Sequence, residues 1–222
     1  VASERDDPGH FVEDFCSWQN NPAYAEVLQR SALPHTASQL MQSEVVRIHQ
    51  DHLLVKEPGT RQATPWHQDQ PHHNVSSRQN RSLWIPVDPV PLASTLRFVA
   101  GSHTGTWYVP RTFRDHQARW FPEGRLTELP AIDAEPERFR QPAWALAPSH
   151  CVASHMLSLH ASSGIGPGSR RRVFSARYLG DDACHIPRPW RTSPAFAGRT
   201  ERLPEEGAEP DDPLFLLVWP AA

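Results

Sequence analysis

An all-β core with a short helical N-terminal part is the fold class this sequence predicts, and three observations predict it. Proline is the first: 23 of 222 residues, about twice the usual share of roughly 5%. The prolines recur from Pro8 to Pro220 and interrupt almost every apolar run, which argues against long helices after about residue 45. The second is a series of short β-prone runs separated by Gly/Pro turns, the pattern of a barrel or a double-sheet jelly roll. The third is confined to the beginning of the chain, where two capped helices fit.

Taken in order, "NPAYAEVLQRSA" offers Asn21 as N-cap and Pro22 at the first helical position. "TASQLMQS" predicts a second helix starting from Thr36 as cap. "EVVRIHQDHLLVKEPGT" reads as a long strand closed by a Pro-Gly turn. "SLWIPVDPV" and "STLRFVAGSH" read as short strands, and "WALAP" precedes "HCVASHMLSLH", read as one strand ending at His160. "ASSGIGPGS" is a loop, "RRRVFSARYLG" a strand, and "DPLFLLVWP" the closing strand. The charged, aperiodic stretch near 110–140 predicts an insertion over the barrel mouth. The expected organisation is a single domain over 1–222, mainly helical to residue 44 and β from 45 onward.

Composition narrows the function. Net charge is −3 with both signs interspersed, and Arg170, Arg171 and Arg172 are the only tight basic cluster. That argues against nucleic acid or an anionic membrane as partner and leaves a small molecule. Three irregularly spaced cysteines, Cys16, Cys151 and Cys184, suit a reducing, cytoplasmic compartment and not a disulfide framework. Cys151 reads as a buried small hydrophobe. No apolar run approaches the roughly 20 residues of a membrane span. Oligomeric state is not legible.

The chemistry rests on histidine and carboxylate. His67 and Asp69 in "TPWHQDQP" stand two apart, and on a strand residues i and i+2 share a face. "IHQDH" repeats the tripeptide at His49 and Asp51. With 13 histidines, roughly one such pair is expected by chance, so spacing alone does not choose between them. Two histidines and one carboxylate on one face leave the far side of a bound iron open. A third ligand could come from His150, His155 or His160; a regular strand turns His155 and His160 to opposite faces, and only His160 ends the run. On the next strand Arg171, Val173, Ser175 and Arg177 share a face. A guanidinium and a hydroxyl so placed suit a dicarboxylate, because the planar fork matches a carboxylate with two bonds. His72 and His73 read as a solvated loop.

Several ordered blocks then carry a resemblance: "VKEPGT", "TPWHQDQP", "SLWIPVDPV", "FVAGSH", "RRRVFSARYLGDDA" and "PRPWRTSPAF". Together they resemble the bacterial branch of the phytanoyl-CoA dioxygenase family, from about residue 24 onward. The resemblance implies a double-stranded β-helix (jelly roll, cupin-like), non-haem Fe(II), and 2-oxoglutarate as cosubstrate. It implies metal ligation by His67, Asp69 and His160, with His49 and Asp51 on the preceding strand. It implies Arg171 for the cosubstrate, assisted by Ser175 and Ser162, with Lys56 and Trp84 in the pocket wall. The expected activity is hydroxylation of a small organic molecule. The alternatives are a degenerate, non-catalytic binding jelly roll, or an epimerase or desaturase outcome on the same iron. A carboxylate at Asp69 disfavours the halogenating subclass. The chain departs from the family at Ser149 and His150, where Gly-Asp is usual, and at Ser94, Ser154 and Ala161.

Overall fold

The computed structural model describes residues 6–109, 126–190, 192–194, 207, 210 and 215–220. The part of the expected insertion at 110–125 lies outside the described residues. Among the described residues the protein is mostly β-sheet with few helices, consistent with a jelly roll.

The larger sheet runs in the order β1 (Phe11–Phe15), β2 (Val46–Lys56), β9 (Arg171–Leu179), β5 (Asn80–Pro86), β7 (Val152–Ser154), with β11 (Leu217–Trp219) also on β2. All these pairings are antiparallel. A second sheet orders β3 (Thr64–His67), β8 (His160–Ser162) and β6 (Leu96–Phe98); β4 (Val75–Ser76) pairs with β10 (Cys184–His185). Inward residues of both larger sheets line one cavity: His52, Ser82, Ser154 and Ser175 from one, His67, Leu96 and His160 from the other. The site therefore lies between the sheets.

β9 is buried on both faces from Val173 onward. Phe174, Ala176 and Tyr178 face away from the cavity into a buried cluster with Leu28, Ala37, Met41, Ile48 and Leu83. Their neighbours Val173, Ser175 and Arg177 are buried on the other face, so both faces are occupied. The outer cluster is covered by α1 (Pro22–Arg30) and α2 (Leu33–Met41), and Tyr178 donates its hydroxyl to the Leu28 carbonyl at 2.9 Å.

α1 begins as expected: the Asn21 side chain accepts from the amides of Ala23 and Tyr24, and Pro22 opens the helix. α2 corrects the expected start, since it begins at Leu33 with Pro34 in its first turn. Thr36 is inside the helix, its hydroxyl returned to the Ala32 carbonyl at 2.8 Å. The first 44 residues also contain β1, because Phe11 is fully buried and the strand finds a partner edge in β2. Cys151 is exposed, contrary to the expectation of burial, because it stands outside the buried clusters at the entry to β7.

Candidate active site

The expected strand pairing of His67 and Asp69 is not how they meet. β3 ends at His67, and Asp69 has helical torsions (φ −74°, ψ −44°) at the head of the 3-10 turn Gln70–His72. The turn is pinned by the Met156 carbonyl, which accepts from the amides of Asp69 at 2.8 Å and Gln70 at 3.0 Å. Met156 is in turn fixed by Asn80, whose Oδ1 accepts the Met156 amide at 2.7 Å. Gln68, between the two, is buried and turned elsewhere: its amide donates to the carbonyls of Thr106 and Leu157.

"HCVASHMLSLH" is likewise two strands and not one. The chain turns at His155–Ser158, with Ser158 N–H donating to the His155 carbonyl at 2.8 Å. β7 joins the larger sheet and β8 the smaller. His160 opens β8 opposite His67. His155 is removed from the site by that turn, its Nε2 lying near Asn80 Nδ2 and the Arg78 carbonyl. His150 N–H donates to the Ala147 carbonyl, and its Nδ1 accepts from the Ala147 amide.

His67, Asp69 and His160 thus converge, with one potential ligand atom from each lying within 4.8 Å of the others. Asp69 Oδ1 is 3.6 Å from His67 Nε2 and 3.9 Å from His160 Nε2. Ligands at right angles on a shared ion at about 2.1 Å would stand about 3.0 Å apart, so a modest contraction would close the set on a metal. The imidazoles are prepared for it. Nδ1 of His67 is 2.8 Å from the Pro65 carbonyl, and Nδ1 of His160 is 2.9 Å from the Ser158 carbonyl. A carbonyl can only accept, so each Nδ1 carries a proton and each ring turns its Nε2 toward Asp69. Burial, with His67 beside it, pushes the His160 pKa down to about 4; that ring is neutral at pH 7.

Asp69 stays ionised for a different reason. Burial opposes its charge and is the largest single influence, but the Arg177 guanidinium beside it helps hold the carboxyl well below the usual range. Arg177 donates Nε to Asp69 Oδ2 at 3.1 Å, and its Nη2 forms an ion pair with the same oxygen at 3.1 Å. The sequence placed Arg177 on the cavity face without a role; its signal was the alternation with Arg171 and Ser175. Asn80 carried no signal, since its importance is a contact to a turn 76 residues away.

The second tripeptide lies apart from the three converging side chains, with Asp51 engaged elsewhere. Asp51 is fully buried, its carboxylate accepting from the amides of Ser17 at 3.2 Å and Trp18 at 3.1 Å. A register shift between Ile48 and Gln50 interrupts the strand at His49, which packs against His73 and Phe215. His72 and His73 are not a solvated loop. His72 is half-buried, edge-on to His67 at 6.4 Å between ring centres. His73 is buried with Nδ1 2.8 Å from the Ser193 carbonyl.

Arg171, Ser175, Ser162 and Trp84 line the same cavity as the three converging side chains. Arg171 is 4% exposed. It donates to the Ser94 carbonyl and, at 3.3 Å, to Ser162 Oγ, and lies over the Trp84 ring. Among the described residues no carboxylate pairs with it. Lys56 stands apart from this wall: its Nζ donates to the carbonyls of Gln62 at 2.6 Å and Ser163 at 2.9 Å. Burial, then the charge of Arg171, pulls the Lys56 pKa down to about 6. Arg172 lies on the opposite face, paired with Asp88 at 2.7 Å, and Arg170 with Glu57 at 2.9 Å.

Each departure from the family pattern has a definite place in the structure. Ser149 adopts φ 80°, a left-handed conformation that favours glycine, at a cost of about 1–2 kcal/mol, and His150 closes the turn as described. Ala161 packs in an apolar cluster with Trp66, Val99, Ile132 and Leu159. Ser154 lines the cavity, and Ser94 supplies its carbonyl to Arg171.

Two histidines and a carboxylate facing one cavity are the donor set of non-haem Fe(II) oxygenases, and comparison with known proteins gives the same class. The model of the family phytanoyl-CoA dioxygenase (PhyH) matches residues 5–172. The chain belongs to this family and is an Fe(II)/2-oxoglutarate-dependent dioxygenase. No curated protein matches it by sequence. Among solved structures it resembles the non-heme alpha ketoglutarate dependent carbocyclase SnoK from nogalamycin biosynthesis. The TM-score is 0.71 and the identity 21%, over 95% of this chain and 76% of that one. The epimerase SnoN, in complex with Fe3+, alpha ketoglutarate and nogalamycin RO, gives a TM-score of 0.70 at 19% identity, over 94% and 78%. EctD from S. alaskensis, with 2-oxoglutarate and 5-hydroxyectoine, gives 0.61 at 19%, over 82% and 60%. At these identities the likeness is one of fold. No helix among the described residues is long and apolar enough to cross a membrane.

Proposed function

We propose that this enzyme hydroxylates an unactivated C–H bond of a small organic molecule, with Fe(II) held by His67, Asp69 and His160. Arg171 takes the distal carboxylate of 2-oxoglutarate, Ser175 and Ser162 donate to it, and Trp84 forms the wall beside it. Lys56 acts from behind, holding the backbone at Gln62 and Ser163. The single observation that carries this reading is Arg171: a buried guanidinium, facing the cavity of the three donors, with no acid among the described residues to neutralise it. Buried charges are ordinarily paired, and a dicarboxylate anchored on the metal would supply the missing partner.

Iron and 2-oxoglutarate, when bound, supply oxygen activation coupled to oxidative decarboxylation of the keto acid to succinate and carbon dioxide. The protein orients. The carbonyls of Pro65 and Ser158 fix the imidazoles, and Arg177 fixes the carboxylate. A small-molecule substrate is supported by an open pocket of about 320 Å³, bounded by Phe98, Trp144, His103 and His155, that shares Ser154 with the metal cavity. Its size and its mix of aromatic and polar walls match small-molecule sites. We read the whole chain as one jelly-roll domain, helical near the N-terminus, and, from its three unpaired cysteines, as cytoplasmic.

A change of outcome is the second reading, because the same fold serves a carbocyclase and an epimerase. Succinate release from Fe(II)-loaded protein, 2-oxoglutarate and oxygen, screened over a metabolite library, tests both. Substrate-stimulated succinate with a product heavier by one oxygen atom is expected. Succinate with an isomerised or ring-closed product moves the enzyme to the second reading. Folded, iron-loaded protein that makes no succinate with any compound overturns both in favour of a binding protein.

A further inference from the structure

Asp69 is held from two sides that are not equivalent. Its Oδ1 faces the His67 and His160 Nε2 atoms at 3.6 and 3.9 Å. Its Oδ2 accepts a hydrogen bond from Arg177 Nε and lies against Arg177 Nη2 as an ion pair, each at 3.1 Å. A guanidinium meeting a carboxylate commonly gives one donor to each oxygen. Here both nitrogens converge on the oxygen turned away from the imidazoles, one as donor and one as ion-pair contact. The remaining nitrogen explains the offset: Arg177 Nη1 is 3.4 Å from His52 Nδ1, and His52 Nε2 is 3.2 Å from Glu13 Oε1. Arg177 is therefore gripped at its outer edge by β2 and, through His52, by β1. The Arg177 and Asp69 side chains are 8% and 9% exposed, so little water competes for these contacts.

The geometry points to Arg177 as the positioning residue that keeps Asp69 a one-oxygen ligand and so preserves open positions on the iron. This rests on the reading that His67, Asp69 and His160 hold Fe(II). Two imidazoles and one carboxylate oxygen occupy one face of an octahedral ion and leave the other face open, for a chelating keto acid and for oxygen. Were Oδ2 free to turn inward, Asp69 would bind through both oxygens and take one of those positions. The guanidinium on Oδ2 opposes that rotation. Arg171 and Arg177, on one face of β9, then divide the work: one receives the cosubstrate, the other keeps room for it on the metal.

The test uses the whole chain as wild type, Arg177→Gln and Arg177→Lys. Fe(II) affinity is measured anaerobically against a chromogenic chelator; 2-oxoglutarate is then titrated and its charge-transfer absorbance followed. Gln removes the charge and the paired contact of Nε and Nη2 with Asp69 Oδ2. Arg177→Gln is expected to keep Fe(II) affinity within about threefold while 2-oxoglutarate binds at least about tenfold more weakly, with a displaced absorbance band. Arg177→Lys, which restores a charge and one donor, should recover part of the loss. Should the Gln variant fail to fold, the Lys variant carries the comparison, its affinity expected below wild type with iron retained. A folded variant that binds 2-oxoglutarate as wild type does, with the same band, overturns the assignment. So does loss of iron itself from a folded variant, which would make Arg177 a condition of metal binding. If wild-type protein binds iron and gives no band with 2-oxoglutarate, the reading of the site fails first and takes this inference with it.

Discussion

Replacing Arg171 by Ala removes a guanidinium that is 4% exposed. Burial lowers its pKa to about 10, so it is charged at neutral pH. Its protein partners, the Ser94 carbonyl and the Ser162 hydroxyl, are neutral. A cosubstrate carboxylate would therefore be the first full negative charge it meets. Breaking a buried ion pair costs about 3–5 kcal/mol, because the remaining charge is left uncompensated. At 1.4 kcal/mol per factor of ten, the lower end is about a hundredfold. The lower end applies because two neutral acceptors already satisfy part of the guanidinium. Arg171→Ala should thus weaken 2-oxoglutarate at least about a hundredfold, with Fe(II) binding intact since Arg171 does not touch the three donors. Arg171→Lys should recover only part, a point charge replacing a planar fork. Arg172→Ala should change little, as Arg172 pairs with Asp88 on the exposed face. The assay is anaerobic titration of 2-oxoglutarate into Fe(II) protein, read by charge-transfer absorbance. If Arg172→Ala abolishes the signal and Arg171→Ala keeps it, the face assignment of β9 is wrong; if neither changes it, Arg171 is not the cosubstrate anchor.

Two further outcomes follow from the same geometry. His67→Ala should abolish Fe(II) binding, whereas a folded His49→Ala protein should bind Fe(II) as wild type does; equal losses in a chelator competition would show that the second tripeptide shares the metal. Stability of the metal-free protein should rise with pH across a defined window. Burial, as the first cause, pushes His73, His155 and His160 down to about 4, while the unfolded chain takes up their protons near 6.5. Between those values the unfolded state binds more protons, so the contribution of these three histidines is fully present above about 6.5 and is lost as pH falls toward 4. Urea midpoints that stay level from pH 7 to pH 5 would contradict neutral burial of these rings.

Much of this was legible in the residues themselves. Asn21 and Pro22 define the start of α1 by local chemistry alone, and the strand runs are set by β-branched and aromatic content between prolines. Ordered family blocks single out "TPWHQDQP" over "IHQDH", which spacing alone could not do. The alternation of Arg171, Val173, Ser175 and Arg177 fixes one face, because a strand has period two whatever lies opposite.

What only the tertiary structure decided is how the chain departs from regularity, and who meets whom across it. His67 and Asp69 meet through a turn pinned by Met156, not through strand alternation. His160 reaches the site not at the end of one unbroken strand but because the chain turns at His155–Ser158 and changes sheet. Both irregularities are held by hydrogen bonds between residues far apart in sequence, with Asn80 and Met156 as the clearest case. Local propensity does not encode such bonds. The same holds for Arg177: its face was readable, but its grip on Asp69 Oδ2 depends on β9 and the β3 turn arriving on opposite walls of one cavity. A sequence determines which side chains are available and which way a regular strand turns them; packing of the two sheets determines which of them share a volume small and dry enough for charge to matter.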